Sequence, residues 1–125
     1  MILLVDANAL LWWLADAATL DRAAAQSIND PANDVLVSAG TVWEIELKRA
    51  AGRLDAPTDL LDALAQAQVD LIAFTAVDAV AAAHLPTHHK DPFDRLLVAQ
   101  ALRLEATIVS RDRAFDAYGV PRLAA

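Results

Sequence analysis

Two short apolar runs near opposite ends of the chain, Ile2-Leu3-Leu4-Val5 and Thr107-Ile108-Val109, each reach an aspartate within three residues, Asp6 and Asp112. Runs of this length, bounded by polar residues, read as strands buried on both faces. Val35-Leu36-Val37 repeats the pattern, Leu71 to Phe74 supplies another strand, and Val120 to Leu123 adds an edge strand interrupted by Pro121. Segments with helical spacing lie between them: Asn8 to Ala15, Leu20 to Ile28, and Thr41 to Ala51, the last stopped by Gly52. A helix capped by Thr58 runs to about Gln68, and another from Val77 to His84 ends before Pro86. Asp91 as N-cap and Pro92 at the first helical position open a helix that continues to Leu104. Ala114 to Tyr118 forms a further helical turn, closed by Gly119. Strands alternating with helices predict a mostly parallel, helix-covered sheet: an α/β fold, a three-layer α/β/α sandwich in one domain over residues 1–125.

Composition narrows the function classes. The chain is 57% hydrophobic with three glycines, which favours helices over an all-β design, and it has no cysteine, which excludes disulfides and thiolate metal sites. The apolar stretch after Met1 is too short for a signal-peptide core or a membrane span, so a cytoplasmic protein with no membrane association is expected. The net charge of −7 weighs mildly against nucleic acid, because phosphate binding wants a basic face. The distribution of charge weakens that objection. Before Lys48 one basic residue stands against seven acids, whereas from Lys48 onward nine basic residues nearly balance ten acids.

The chemistry-bearing residues are four acids: Asp6, Glu44, Asp94 and Asp112. In an open α/β sheet, residues at the carboxyl ends of the strands converge on one crevice. Acids gathered there repel one another and need neutralising, most simply by divalent cations with oxygen ligands, which points to a metal-dependent phosphodiesterase. Each acid also has a plainer use. Asp6 and Asp112 can cap helices, Glu44 can pair with Lys48 at i,i+4, and Asp94 at the third helical position suits the helix dipole. Asp91, directly before Pro92, reads as a cap, and Glu46 as a surface partner of Arg49. His84, His88 and His89 lack the spacing and partners of a zinc site; His89 reads as a substrate or structural contact and His88 as solvent-exposed. Leu10-Leu11-Trp12-Trp13-Leu14 is apolar all round, so core burial accounts for part of it and a protein interface for the rest.

Four blocks resemble the PIN domain, and within it the VapC-type toxins of bacterial toxin–antitoxin pairs. They are Val5-Asp6-Ala7-Asn8; Ser38 through Glu44 and Lys48 to Gly52-Arg53-Leu54; His89-Lys90-Asp91-Pro92-Phe93-Asp94-Arg95-Leu96-Leu97; and Ser110-Arg111-Asp112. The blocks cover nearly the whole chain in the family's order. The resemblance implies a Mg²⁺- or Mn²⁺-dependent ribonuclease in which Asp6, Glu44, Asp94 and Asp112 take the metal-binding, catalytic positions. Ala7 replaces the Thr or Ser often found after the first Asp, and Ser110 stands where Thr is common but keeps the hydroxyl. Asn8, Arg95 and Ser110 are the expected contacts to substrate phosphate, and Lys48 or Arg111 could track the RNA backbone. The resemblance further implies a VapB-type antitoxin, expected to dock on a patch around Leu11, Trp12 and Leu14, and a homodimer is also expected. Two rival functions fit the residues less well. An aspartyl-phosphate phosphatase of the haloacid dehalogenase type needs a second Asp where this chain has Asn8, and a non-catalytic binding module has no need of four intact acids.

Overall fold

Side chains that alternate between two buried faces build the centre of the sheet. A computed structural model describes residues 1–125. Strand β1 (Ile2–Val5) sends Leu3 and Val5 to one face and Leu4 to the other, all at most 1% exposed. On the first face they meet Leu10 of helix α1 (Ala7–Leu14), Ala24 and Ile28 of α2 (Arg22–Asn29), Ile45 of α3 (Ala39–Ala50), and Leu60 and Leu64 of α4 (Leu60–Gln66). On the second, Leu4 and Ile108 of β4 (Thr107–Val109) pack against Leu97, Val98 and Ala101 of α6 (Pro92–Leu104), with Phe115 from a 3₁₀ turn (Arg113–Tyr118). Helix α5 (Ala76–His84) lies against α6. This is the three-layer α/β/α sandwich.

All strand pairs are parallel. The order is β3-β2-β1-β4-β5, with β2 at Asp34–Ser38, β3 at Asp70–Ile72 and β5 at Arg122–Leu123. The chain builds outward from β1 through β2 to β3, then crosses back to place β4 on the other side of β1. The strand order therefore reverses between β1 and β4, and the crevice above their carboxyl ends is the ligand position such a topology provides. The Asp6 N–H donates to the Val109 carbonyl at 3.1 Å, carrying the β1–β4 pairing one residue beyond the strands and setting Asp6 beside Ser110.

Several element boundaries depart from sequence expectation. Helix α3 begins at Ala39, not Thr41, because the Ser38 hydroxyl accepts from the Gly40 N–H (3.1 Å) and donates to the buried Gln100 Oε1 (2.6 Å). A Cβ on Gly40 would lie 2.9 Å from Leu96 Cδ2, so the glycine lets α3 approach α6. Helix α2 starts after Asp21 rather than at Leu20, and α4 is capped by Asp59, whose Oδ1 takes the Asp62 N–H, rather than by Thr58. The last strand is shorter than Val120 to Leu123 and leaves Pro121 outside it. β3 covers Asp70–Ile72 instead of reaching Phe74; Thr75 and Asp78 form a capping box that starts α5 immediately afterwards.

Candidate active site

Three helix starts deliver acids to one crevice. Asp6 ends β1 and caps α1, its Oδ1 accepting from the Ala9 N–H at 2.9 Å. Asp112 follows β4 and caps the 3₁₀ turn, its Oδ1 accepting from the Ala114 N–H at 2.9 Å. Asp91 caps α6 through the N–H groups of Phe93 and Asp94, which puts Asp94 in the first turn. Glu44, in the second turn of α3, is buried at 7% exposure. A cavity of ≈ 120 Å³ is lined by Asp6, Glu44, Asp91, Asp94 and Asp112 together with Ala7, Asn8 and Lys48. The four acids singled out from the sequence thus share one small volume. Asp91, read only as a cap, joins them.

Five carboxylates face one cation in that volume. Lys48 Nζ binds Glu44 Oε2 at 2.6 Å, so the plain i,i+4 pairing of Glu44 holds as well, inside the cavity. Burial pushes the Asp6 carboxyl above its ordinary value; the Ser110 hydroxyl and the Ala9 N–H oppose the rise, while Glu44 and Asp112 add to it. Asp94 is pushed from 3.8 to about 7, first by burial, then by the charge of Asp91, with Glu44 and Asp6 adding and His89 opposing. Asp112 is held below the usual carboxylate range, chiefly by the Ala114 N–H and further by His89 and Arg122. Asp6 and Asp94 thus resist ionising among these neighbours, and a cation bound among them would relieve that cost. The donor set, all carboxylate oxygens, is of the kind that Mg²⁺ or Mn²⁺ takes.

Other expected residues fall on both sides of the cavity wall. Asn8 is exposed at its lip. Ser110 is fully buried and accepts from the Asp112 N–H at 3.0 Å, so it braces the acids from beneath. Arg95 lies outside the cavity lining. Its guanidinium donates to the carbonyls of Ala82, Ala83, Leu85, Pro86 and His89, tying the end of α5 and the following loop to α6. Arg111 is likewise committed, to the carbonyls of Thr19 and Ala125 and to the Trp12 ring, 4.4 Å from its guanidinium carbon. His89 approaches both Asp94 and Asp112, a contact whose partner on the second acid lies 23 residues away and leaves no local signal.

The apolar stretch of α1 is unevenly buried. Leu10 is fully buried, whereas Leu11, Trp12, Trp13 and Leu14 are half-buried against the core. Trp12, Trp13, Leu14, Leu20 and Ala25 line a surface groove of ≈ 370 Å³, and Leu11 and Leu14 line a second of ≈ 250 Å³ with Ala56 and Pro57. The most exposed large apolar side chains lie elsewhere, including Trp43 and Leu47 on α3 and Val77 and Val80 on α5, which carry no signal in the sequence pattern. No helix is long and apolar enough to cross a membrane.

A parallel sheet with carboxylates crowded over its switch point defines an α/β domain with an acidic crevice at the strand ends. The chain belongs to the PIN-domain family, whose sequence profile matches residues 3–121. It is 30% identical over 122 residues to Ribonuclease VapC22 of Mycobacterium tuberculosis, covering 95% of this chain and 93% of that one. The fold is similar to that of VapBC2 from Rickettsia felis, solved bound to a promoter DNA fragment, with a TM-score of 0.71 at 13% identity over 100% of this chain and 99% of that one. It is also similar to FitAcB from Neisseria gonorrhoeae, with a TM-score of 0.63 at 20% identity over 98% and 96% of the two chains.

Proposed function

We propose that this chain is a Mg²⁺- or Mn²⁺-dependent endoribonuclease acting as a VapC-type toxin. The observation that carries the reading is the convergence of Asp6, Glu44, Asp91, Asp94 and Asp112 on one cavity, in a chain 30% identical to a ribonuclease over nearly its full length. Asp6, Asp94 and Asp112 would hold one divalent ion, and Glu44 a second more loosely. Bound there, the ions supply Lewis-acid polarisation of the scissile phosphate and lower the pKa of water, the two-metal chemistry of phosphodiester hydrolysis. The chain's own groups do the rest. The Ala9 and Ala114 N–H groups fix one oxygen of Asp6 and of Asp112, so those carboxylates meet a ligand in a set orientation. Ser110 holds the Asp112 backbone, Lys48 offsets the charge of Glu44, and the amide of Asn8, which lines the cavity, would donate to a phosphate oxygen.

Such an enzyme needs restraint, and the reading includes a VapB-type antitoxin. The two grooves beside α1 share Leu14 and fit an apolar helix with side chains spaced to reach both. That the chain shares its fold with a chain of the solved VapBC2 complex supports a partner of this kind, not its place on the surface. A homodimer through the exposed apolar residues of α3 and α5 completes the proposed assembly. The test is cleavage of end-labelled RNA by purified protein. Cutting with Mg²⁺ or Mn²⁺, none in EDTA, and none by a folded Asp6→Asn variant is expected. Cleavage persisting in EDTA sinks the metal reading, and no cleavage of any RNA pool sinks the nuclease.

A further inference from the structure

His89 is held in place from several directions. Its backbone N–H donates to the Tyr118 hydroxyl at 2.8 Å, and its ring packs at a tilt on the buried Phe115, with centroids 5.9 Å apart. Its Nδ1 accepts the Asp91 N–H at 3.1 Å. A neutral imidazole carries one proton, so an accepting Nδ1 assigns that proton to Nε2. Nε2 lies 2.9 Å from Asp94 Oδ2 and 3.0 Å from Asp112 Oδ2. One N–H is therefore shared between carboxylates from two separate elements, the first turn of α6 and the 3₁₀ turn after β4.

We propose that His89 is a positioning residue of the carboxylate site: its shared Nε2–H ties Asp94 to Asp112 and sets the spacing at which the pair receives a divalent cation. This rests on the divalent-cation reading above. Without a donor between them, the two carboxylates repel and part, and a cation must first gather them. With the donor in place, the gathering is done by the fold through Tyr118, Phe115 and Asp91. Direct ligation by His89 is the alternative use of the same geometry. It requires the proton to move to Nδ1, where the Asp91 N–H already points, and so sacrifices a bond the structure makes.

The two uses separate experimentally in the full chain with Mn²⁺ as the probe. Binding is followed by the loss of free-ion EPR signal for wild type, His89→Gln, His89→Asn and His89→Ala, with thermal unfolding to verify the fold. The Gln amide reaches the place of Nε2 and can donate there; the Asn amide stops near the place of Nδ1. The expected result is that wild type and the Gln variant agree within about threefold in Kd, while the Asn and Ala variants weaken by roughly tenfold or more. Pulsed EPR should show no imidazole nitrogen coupled to bound Mn²⁺. Equal affinity in all four proteins, tighter binding by the Ala variant, loss in the Gln variant equal to that in Asn, or a coupled imidazole nitrogen each overturns the positioning role. If wild type binds no Mn²⁺ at all, the cation reading falls and takes this one with it. If wild type binds and Asp94→Asn does not, the cation reading stands and the His89 series alone judges the inference.

Discussion

Asp94→Asn should make the metal-free protein more stable and the metal-loaded protein less stable than wild type. In the unfolded chain Asp94 ionises near 3.8, and in the folded chain at about 7. The folded state therefore holds an extra proton between those values, and stability without metal falls as pH rises from about 4 to about 7, then levels off. At about 1.4 kcal/mol for each pKa unit, the ceiling on the cost of ionised Asp94 is roughly 4 kcal/mol. Its side chain is 22% exposed, so solvent screening and relaxation of the neighbouring acids reduce that figure. An acid in the first turn of a helix also returns about 0.3–1 kcal/mol through the dipole, which Asn forfeits. The net gain expected for the Asn variant in EDTA at pH 8 is about 1–2 kcal/mol, vanishing near pH 4.

Metal reverses the order. At a hundredfold excess over Kd, a bound ion adds about 2.7 kcal/mol to wild type, and the Asn variant, short of one anionic ligand, gains much less. Urea denaturation of both proteins, at pH 4.5 and pH 8, with EDTA or Mn²⁺, reads all four combinations. If the Asn variant is no more stable than wild type at pH 8 in EDTA, burial and like charge do not govern Asp94 as described. If Mn²⁺ stabilises both proteins equally, Asp94 is not part of the cation site.

Asp91→Asn should keep the α6 cap, since Asn caps as well as Asp, and stay within about 0.5 kcal/mol of wild type. By removing a charge that raises the Asp94 pKa, it should also move the pH midpoint of Mn²⁺ binding downward, which a pH series of the EPR titration checks. Arg95→Lys replaces a guanidinium engaged by five carbonyls, so it should lower stability by about 1–3 kcal/mol while leaving the KM for RNA unchanged; a raised KM in a folded variant would restore the phosphate contact expected of it from sequence. Asp78 is 1% exposed, and its two oxygens meet Arg103 Nε and Nη2 at 2.6 and 2.9 Å, which with the Thr75 N–H holds its carboxyl below the usual range despite burial. Its contribution is present above the unfolded value of 3.8 and lost as pH falls through the lower folded value, so Asp78→Asn should lower Tm at pH 7, by an amount that shrinks as pH falls below 3.8.

What is legible in the sequence follows from range. β1, β2 and β4 are short runs buried on one or both faces, and their apolar character is written in the residues themselves. The α6 start is equally local, since Asp91 and Pro92 state it in two letters. The start of α3 is not: the helical spacing reads from Thr41, and the two earlier residues join the helix only because Leu96 and Gln100, more than fifty residues away, pack against that turn. Thr58 and Asp59 are adjacent candidates for one cap, and only the geometry chooses between them. Arg95 looks free in the sequence because its partners are backbone carbonyls, which no pattern of side chains reveals. The exposed apolar residues Trp43 and Leu47 escape notice because charged residues stand beside them, and Val77 and Val80 because they stand in an alanine-rich segment, unlike the continuous run of large side chains in α1.

The choice between cap and ligand, posed residue by residue in the sequence, dissolves in the structure because a carboxylate has two oxygens. Asp6, Asp91 and Asp112 each give Oδ1 to backbone N–H groups at a helix start. On Asp112, Oδ2 faces His89 instead. A cap fixes the carboxylate's orientation without consuming it, and the helix-start N–H groups offset part of the charge that crowding makes costly. Helix starts at the carboxyl edge of a parallel sheet are thus suited to gathering acids, as at Asp6, which directly follows β1 and begins α1. It follows that Asp→Asn and Asp→Ala ask different questions here. Asn retains the capping oxygen and removes the charge, whereas Ala removes both, so an inactive Ala variant cannot separate a lost ligand from a frayed helix. Only the Asn series, with fold verified, reads the chemistry of the crevice.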